Sequence, residues 1–325
     1  MRQKNNMDRK VTFPKINATG YRAVEFFAGM GGFSTAWPEV DVAVGIDIHQ
    51  RAAEVYTANN SHPFWIREIE SISAEELLGL RANLWWMSPP CQPYTLRGLR
   101  RDVDDPRARS LLRLIDLIGA CAPEFVVMEN VLGFSDSTAH ALLTKQLETY
   151  GYRWQSIELC PTQMNWPNKR PRFYLMASRG TDLIPWRDLP MYSCRTADLI
   201  DSEVEIQVVA TELLMNAATI AEIEEAIDRC DRNSERATAC FASSYGRSLR
   251  NSGSYLQLGA GRYRRFSPRE VANLLGFPPH FILPPSLRTR ELWKLLGNGL
   301  SLPAVRYVLS HLPGGPLARL TWRET

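Results

Sequence analysis

Residues Tyr21–Trp37 read YRAVEFFAGMGGFSTAW. Tyr21–Phe27 is an apolar run of strand length. The glycine-rich turn Ala28-Gly29-Met30-Gly31-Gly32 follows at once, and Phe33–Trp37 can open a helix. Strand, glycine turn and helix start together let backbone N–H groups approach a ligand. The spacing is G-x-G-G rather than G-x-G-x-x-G, so a dinucleotide is not specifically indicated.

Outward from this stretch, strand and helix signals alternate. Val40–Ile46 predicts a second strand ending at Asp47, and Gln50–Asn59 a helix. A carboxylate about 20 residues past the glycine turn can accept both ribose hydroxyls of an adenosyl group. It can equally cap the helix behind it, and the two roles are compatible. Ile66–Ser73, with Ile69-Glu70, is expected to end a third strand, and Leu84–Met87 is the fourth. Arg107–Cys121 has helical periodicity, and Phe125–Met128 is a fifth strand running into Glu129-Asn130-Val131. Thr138–Tyr150 is a helix, and Tyr152–Glu158 and Arg172–Ala177 are further strands. The pattern predicts an α/β fold, a doubly wound, mostly parallel Rossmann-like sheet carrying a small second module. Gly29, Asp47, Glu70, Cys91 and Glu129 then fall just after strands, on the edge where ligands bind such sheets.

Leu84–Thr95 reads LWWMSPPCQPYT. Pro89 and Pro90 forbid continuation as strand or helix, so Cys91 sits on a stiff turn that can present its sulfur to a cleft. A buried cysteine in a proline turn is the plainer alternative.

The 325 residues carry a net charge of +3 and are 45% hydrophobic, enough for a large core. No apolar run approaches the roughly 18 residues of a membrane span. The six cysteines are scattered without C-x-x-C, which reads as reduced cytosolic thiols with neither a disulfide framework nor a metal site. Residues 1–19 read as a flexible basic tail, 20–179 as the main α/β domain, 180–261 as the small module and 262–325 as a return to the main domain. Within the module, Thr211–Cys230 is expected to be an acidic amphipathic helix. Arg236–Arg269 has seven arginines and no acid. Such a basic, aromatic-interleaved surface suits a phosphate backbone.

A cysteine and a glutamate at adjacent strand ends, beside an adenosyl-type pocket, fit covalent catalysis with a methyl donor. A thiolate added to carbon-6 of cytosine makes carbon-5 nucleophilic, and a carboxylic acid at N3 offsets the developing charge. Nearby cations, with Arg170 and Arg172 as candidates, would lower the thiol pKa.

The chain resembles the cytosine-5 methyltransferases of the DNA methyltransferase superfamily over residues 21–312. The motifs are Phe27–Gly32, Pro89-Pro90-Cys91-Gln92, Glu129-Asn130-Val131, Asn168-x-Arg170-x-Arg172, Arg265–Glu270 and Gly297-Asn298, in family order. Asn168 stands where most DNA enzymes have Gln. Pro161-Thr162-Gln163, Ala272–Pro279 and Cys240-Phe241-Ala242, with Tyr245-Gly246, resemble the transfer-RNA branch. Ala242 departs from that branch's Cys-Phe-Thr, and Gly299 replaces the usual Ser.

The resemblance implies methylation of carbon-5 of an anticodon-loop cytosine in tRNA, with S-adenosyl-L-methionine (AdoMet) as cofactor. A DNA cytosine-5 methyltransferase is the alternative, and a catalytically dead nucleic-acid-binding protein a third reading that the intact Cys91, Glu129, Arg170 and Arg172 oppose. Those four would be catalytic. Phe27, Ala28, Gly29, Met30, Gly31, Gly32, Asp47, Ile48, Ile69, Glu70, Ser88, Pro90, Asn298 and Gly299 would hold the cofactor. Arg97, Arg100, Cys240, Phe241, Tyr245, Arg247 and Arg264 would contact nucleic acid. A cytoplasmic monomer without metal or membrane attachment is expected.

Overall fold

The computed structural model describes residues 19–94, 102–201, 211–216, 220, 227–259 and 261–319. Five parallel strands form one side of a seven-stranded sheet: β1 (Arg22–Phe26), β2 (Asp41–Asp47), β3 (Phe64–Ile66), β4 (Leu84–Met87) and β5 (Phe125–Asn130). The order β3-β2-β1-β4-β5-β7-β6 is completed by β6 (Arg153–Leu159) and β7 (Arg172–Ser178), both in antiparallel pairings. This is the expected doubly wound, mostly parallel architecture. The reversal of strand order between β1 and β4 opens a crevice at their carboxyl ends.

Helices α1 (Gly32–Ala36), α2 (Gln50–Asn59), α3 (Ala74–Gly79), α4 (Arg109–Cys121) and α5 (Thr138–Thr149) connect the strands. The α4 residues Leu111, Leu114, Ile115, Leu117 and Ile118 form its buried stripe, the helical spacing that places one face on a sheet. Three helices return from the C-terminal part: α6 (Pro268–Leu274), α7 (Thr289–Asn298) and α8 (Leu302–Leu309). All eight residues of α8 are buried. Apolar clusters on the two sheet faces make the core. One of them continues without a break into the module through Phe241, Tyr245, Tyr255 and Tyr263.

Several expectations need correction. The third strand is Phe64–Ile66 alone, because its partner β2 ends at Asp47, opposite Ile66. Ile69–Ser71 is instead a 3-10 turn, and Ser73 then starts α3 through a reciprocal bond with Glu76. Glu129 lies within β5 rather than after it, since β7 pairs with β5 as far as Asn130–Phe173.

Thr211–Cys230 is not one helix. Thr211–Leu213 is a single 3-10 turn, Leu214 bridges to Arg264, and Asp228–Cys230 is strand β8. Positions 217–219 and 221–226 of that expected helix lie outside the described residues. β8 pairs with β9 (Ser254–Gln257), and β9 with β10 (Tyr263–Arg265), giving the module a three-stranded sheet whose last strand extends past residue 261.

Candidate active site

The glycine turn is set by its packing. Gly29 and Gly31 have φ of +52° and +86°, a region costly for residues with a Cβ. A Cβ on Gly31 would meet the Asn60 side-chain nitrogen at 2.8 Å and the Tyr56 ring at 3.1 Å. Glu25, fully buried in β1, accepts the Phe33 N–H at 3.1 Å and the Ser34 hydroxyl proton, which fixes the start of α1.

Asp47 closes the turn from the neighbouring strand. One carboxylate oxygen accepts the Gly29 N–H at 2.9 Å and the other the His49 N–H at 2.8 Å. It does not cap α2: His49 holds the cap position, and no side chain bonds the first helical amides. Each Asp47 oxygen keeps a further lone pair for a ligand.

Two adjoining hollows, of about 180 and 400 Å³, share the walls Phe27, Gly29, Asp47, Ile48, Ser88 and Asn298. Ala28, Met30, Gly32 and Gly299 line the smaller, and Ile69, Pro90, Cys91, Glu129, Arg170 and Arg172 the larger. Ile48 is 66% exposed beside Asp47, an apolar ledge of the kind that takes a flat ring. An acidic acceptor, an apolar ledge and a glycine turn fit an adenosyl group with an amino-acid tail. Glu70, exposed in the 3-10 turn, and Gly31, turned into the packing, are not on these walls.

The reactive end of the larger hollow holds Cys91, Glu129 and Arg172. Arg172 Nε lies 3.0 Å from Glu129 Oε1, with both side chains largely buried. Burial pushes the Glu129 carboxyl up, against the lowering influence of Arg172 and Arg170. Burial also pushes the Cys91 thiol up, opposed first by Arg172. Asn130, the next residue of β5, is completely buried and donates to the Pro89 carbonyl at 3.3 Å, which ties the cysteine turn to the glutamate strand. Its tying role was not anticipated. Arg67, Ser110 and Arg107, the last chelated by Asp105, also line this hollow.

Arg170 serves differently. Its side chain is buried and donates to the carbonyls of Phe241 at 3.2 Å, Gly297 at 3.1 Å and Gly299, and to Cys240 Sγ at 3.4 Å. It therefore binds the module, the C-terminal end of α7 and the start of β7 together. Asn168 adds bonds to Thr238 and to the Ala239 carbonyl. Gly297 makes this junction possible, because a Cβ there would lie 2.3 Å from the Ala242 backbone. Burial pushes the Cys240 thiol up, but Arg170 and Arg172 hold it below its ordinary value.

Of the expected nucleic-acid contacts, Arg264 is fully buried and grips Glu270 with two 2.6 Å bonds. Phe241 and Tyr245 are also buried, Tyr245 bonding Ser254 and Phe266 backbone and packing on Trp293. None of the three faces solvent: Phe241 and Tyr245 are taken up by the aromatic junction with Phe266 and Trp293, and Arg264 by its pair with Glu270. Cys240 is half-buried against Arg170, Arg247 is exposed, and Arg97 and Arg100 lie outside the described residues. No cluster of metal-ligating side chains occurs among the described residues, and no helix among them is long and apolar enough to cross a membrane.

Against known proteins, residues 21–313 match the family model described as C-5 cytosine-specific DNA methylase. A tRNA (cytosine(38)-C(5))-methyltransferase of Bos taurus is 27% identical, the match covering 90% of this chain and 98% of the relative. The Schizosaccharomyces pombe protein of the same name is 28% identical over 90% of this chain and 96% of its own. The crystal structure of S. pombe Dnmt2 methyltransferase superposes with a TM-score of 0.79 at 25% identity, covering 89% of this chain and 97% of that one. With its nucleophile turn, glutamate strand and glycine turn meeting around one pair of hollows, the chain belongs to the C-5 cytosine-specific DNA methylase family.

Proposed function

We propose that the protein transfers a methyl group from AdoMet to carbon-5 of a cytosine in the anticodon loop of tRNA. The observation that carries the chemistry is the convergence of Cys91, Glu129 and Arg172 on one hollow that continues to Gly29 and Asp47. AdoMet, when bound, supplies an electrophilic methyl. Phe27, Ala28, Gly29, Met30, Gly32, Asp47, Ile48, Ser88, Asn298 and Gly299 would hold it.

Cys91 passes its thiol proton to water and its sulfur bonds carbon-6 of the base, which makes carbon-5 the nucleophile. Glu129, whose carboxyl burial pushes up, would act as the acid that donates to N3 as negative charge develops there. Arg172 orients Glu129 and stabilises the Cys91 thiolate. After transfer the carbon-5 proton leaves, and the electron pair released expels the Cys91 sulfur. Arg170 holds the module in place.

The tRNA reading is supported by the relatives' names and by the size of the module. A three-stranded sheet of short strands offers little surface for reading base edges in a duplex groove. An unpaired loop base is flipped into such a pocket at low cost. DNA remains the alternative substrate, since it would use the same catalytic groups. Labelled AdoMet incubated separately with total tRNA and with genomic DNA decides between them. Label entering tRNA and lost in Cys91→Ala supports the proposal; label entering only DNA overturns the substrate.

A further inference from the structure

Behind the glycine turn, at the opposite edge of the sheet, lies a second cavity of about 440 Å³. It opens where the chain enters β2 and β3, between Trp37–Val42, Asn59–His62 and α8. Arg306 of α8 forms part of its wall and is 8% exposed. Its guanidinium donates to the carbonyls of Ala36 at 2.8 Å and Leu317 at 3.0 Å, and no carboxylate of the described residues is among its partners. A buried cation held by carbonyl dipoles alone is an incomplete arrangement, one that favours an incoming anion. Apolar walls from Val42, Phe281 and Leu302 suit the body of an organic molecule. Glu39 is exposed, and the mouth carries His280, also exposed.

Three residues of the cavity wall hold the glycine turn from behind. Thr35 donates its hydroxyl to the Gly31 carbonyl at 2.6 Å. Ser34 donates to Glu25, which in turn fixes the Phe33 N–H. Asn60 packs directly under Gly31. A ligand seated in the cavity would bear on the same atoms that shape the front hollow.

We propose that this cavity is a second binding site, for a small organic anion whose carboxylate or phosphate meets Arg306, and that its occupancy alters AdoMet affinity. The second clause rests on the cofactor reading above; the first does not.

Calorimetric titration of the full chain with benzoate and, separately, phenyl phosphate tests both. At least one should bind with one-to-one stoichiometry in the absence of AdoMet, the arm that responds naming the head group. Arg306→Met should weaken that binding roughly tenfold or more, as loss of a charged hydrogen bond implies, with AdoMet binding alone unchanged. His280→Glu, at the exposed mouth, should act in the same direction and serves if Arg306→Met does not fold. Saturating anion should change AdoMet affinity about fivefold or more without excluding it. Binding of neither probe, or binding unchanged in both variants, overturns the site. Simple competition with AdoMet would place the anion in the front hollow and overturn it too. Anion binding with unaltered AdoMet affinity overturns the coupling.

Discussion

Arg172 reaches Glu129 at 3.0 Å, and it is also the foremost cation acting on the Cys91 thiol. One guanidinium thus serves two groups with opposite needs. In the proposed reaction Glu129 must carry a proton to assist at N3, and Cys91 must lose one to attack carbon-6. In the structure the glutamate claims the cation, and burial leaves the thiol above its ordinary value. A base that engages Glu129 as a neutral acid would release Arg172 toward the thiolate.

The first prediction follows from that sharing. Alkylation of Cys91 by iodoacetamide, read by mass spectrometry of its peptide, should rise about tenfold per pH unit through neutrality. Its midpoint should lie above that of an ordinary cysteine. Arg172→Ala removes the leading favourable charge and should move the midpoint higher still. A midpoint below that of free cysteine would show the thiol to be activated before any base arrives.

The second concerns Asp47. Asp47→Ala removes the proposed acceptor for the cofactor and also frees the Gly29 and His49 amides that its two oxygens hold. AdoMet binding should weaken by about 1.5–3 kcal/mol, the range for hydrogen bonds to a charged group. Asp47→Asn keeps one acceptor oxygen and should lie between. Calorimetry giving equal affinity for all three proteins would refute the role.

Much of this was legible in the chain. Gly29 and Cys91 follow strand ends and Asp47 closes one, where apolar runs stop and turn residues begin, so period and punctuation locate them; Glu129 lies one residue inside β5, which only its pairing with β7 shows. Arg264 reads as a phosphate contact in the sequence because a charge pattern cannot show burial. Its partner Glu270 lies six residues on, beyond the turn that brings strand and helix together, and only that fold makes the pair. Asn130 was hidden for a related reason. Its task is to hold the Pro89 carbonyl, forty-one positions away in the chain. The Arg170 junction joins the start of β7, the module and α7, and no local pattern reports contacts of that range.

The third prediction concerns Glu25. Burial raises its carboxyl to about 7 from an ordinary 4.5, although Ser34, Phe33 and Tyr56 all donate to it. A raised acid favours folding while it stays protonated. Stability should therefore fall as pH climbs from about 4.5 to 7, and level off above. The loss is on the order of 1–3 kcal/mol. Glu25→Gln cannot ionise and should flatten the melting temperature over this window, while keeping one acceptor for the start of α1. An identical pH dependence in variant and wild type would mean that Glu25 is ionised throughout.

The last prediction separates charge that faces solvent from charge that builds the module. Arg247 is exposed near the Cys240 segment, while Arg264 is buried against Glu270 with two short bonds. Charge reversal at Arg247 should raise the Michaelis constant for tRNA and flatten its dependence on salt, because one phosphate contact is lost. Thermal stability and AdoMet affinity should stay as they are. Arg264→Met leaves the Glu270 carboxylate without its cation in the interior, which costs about 3–5 kcal/mol. Its signature is a lower melting temperature, with tRNA affinity per folded molecule unchanged. Replacing Arg264 and Glu270 together by apolar residues should recover most of the stability, since the pair's mutual attraction largely offsets its own desolvation. If Arg264→Met instead folds normally and loses tRNA binding, the arginine faces the substrate and the buried pair does not form in solution.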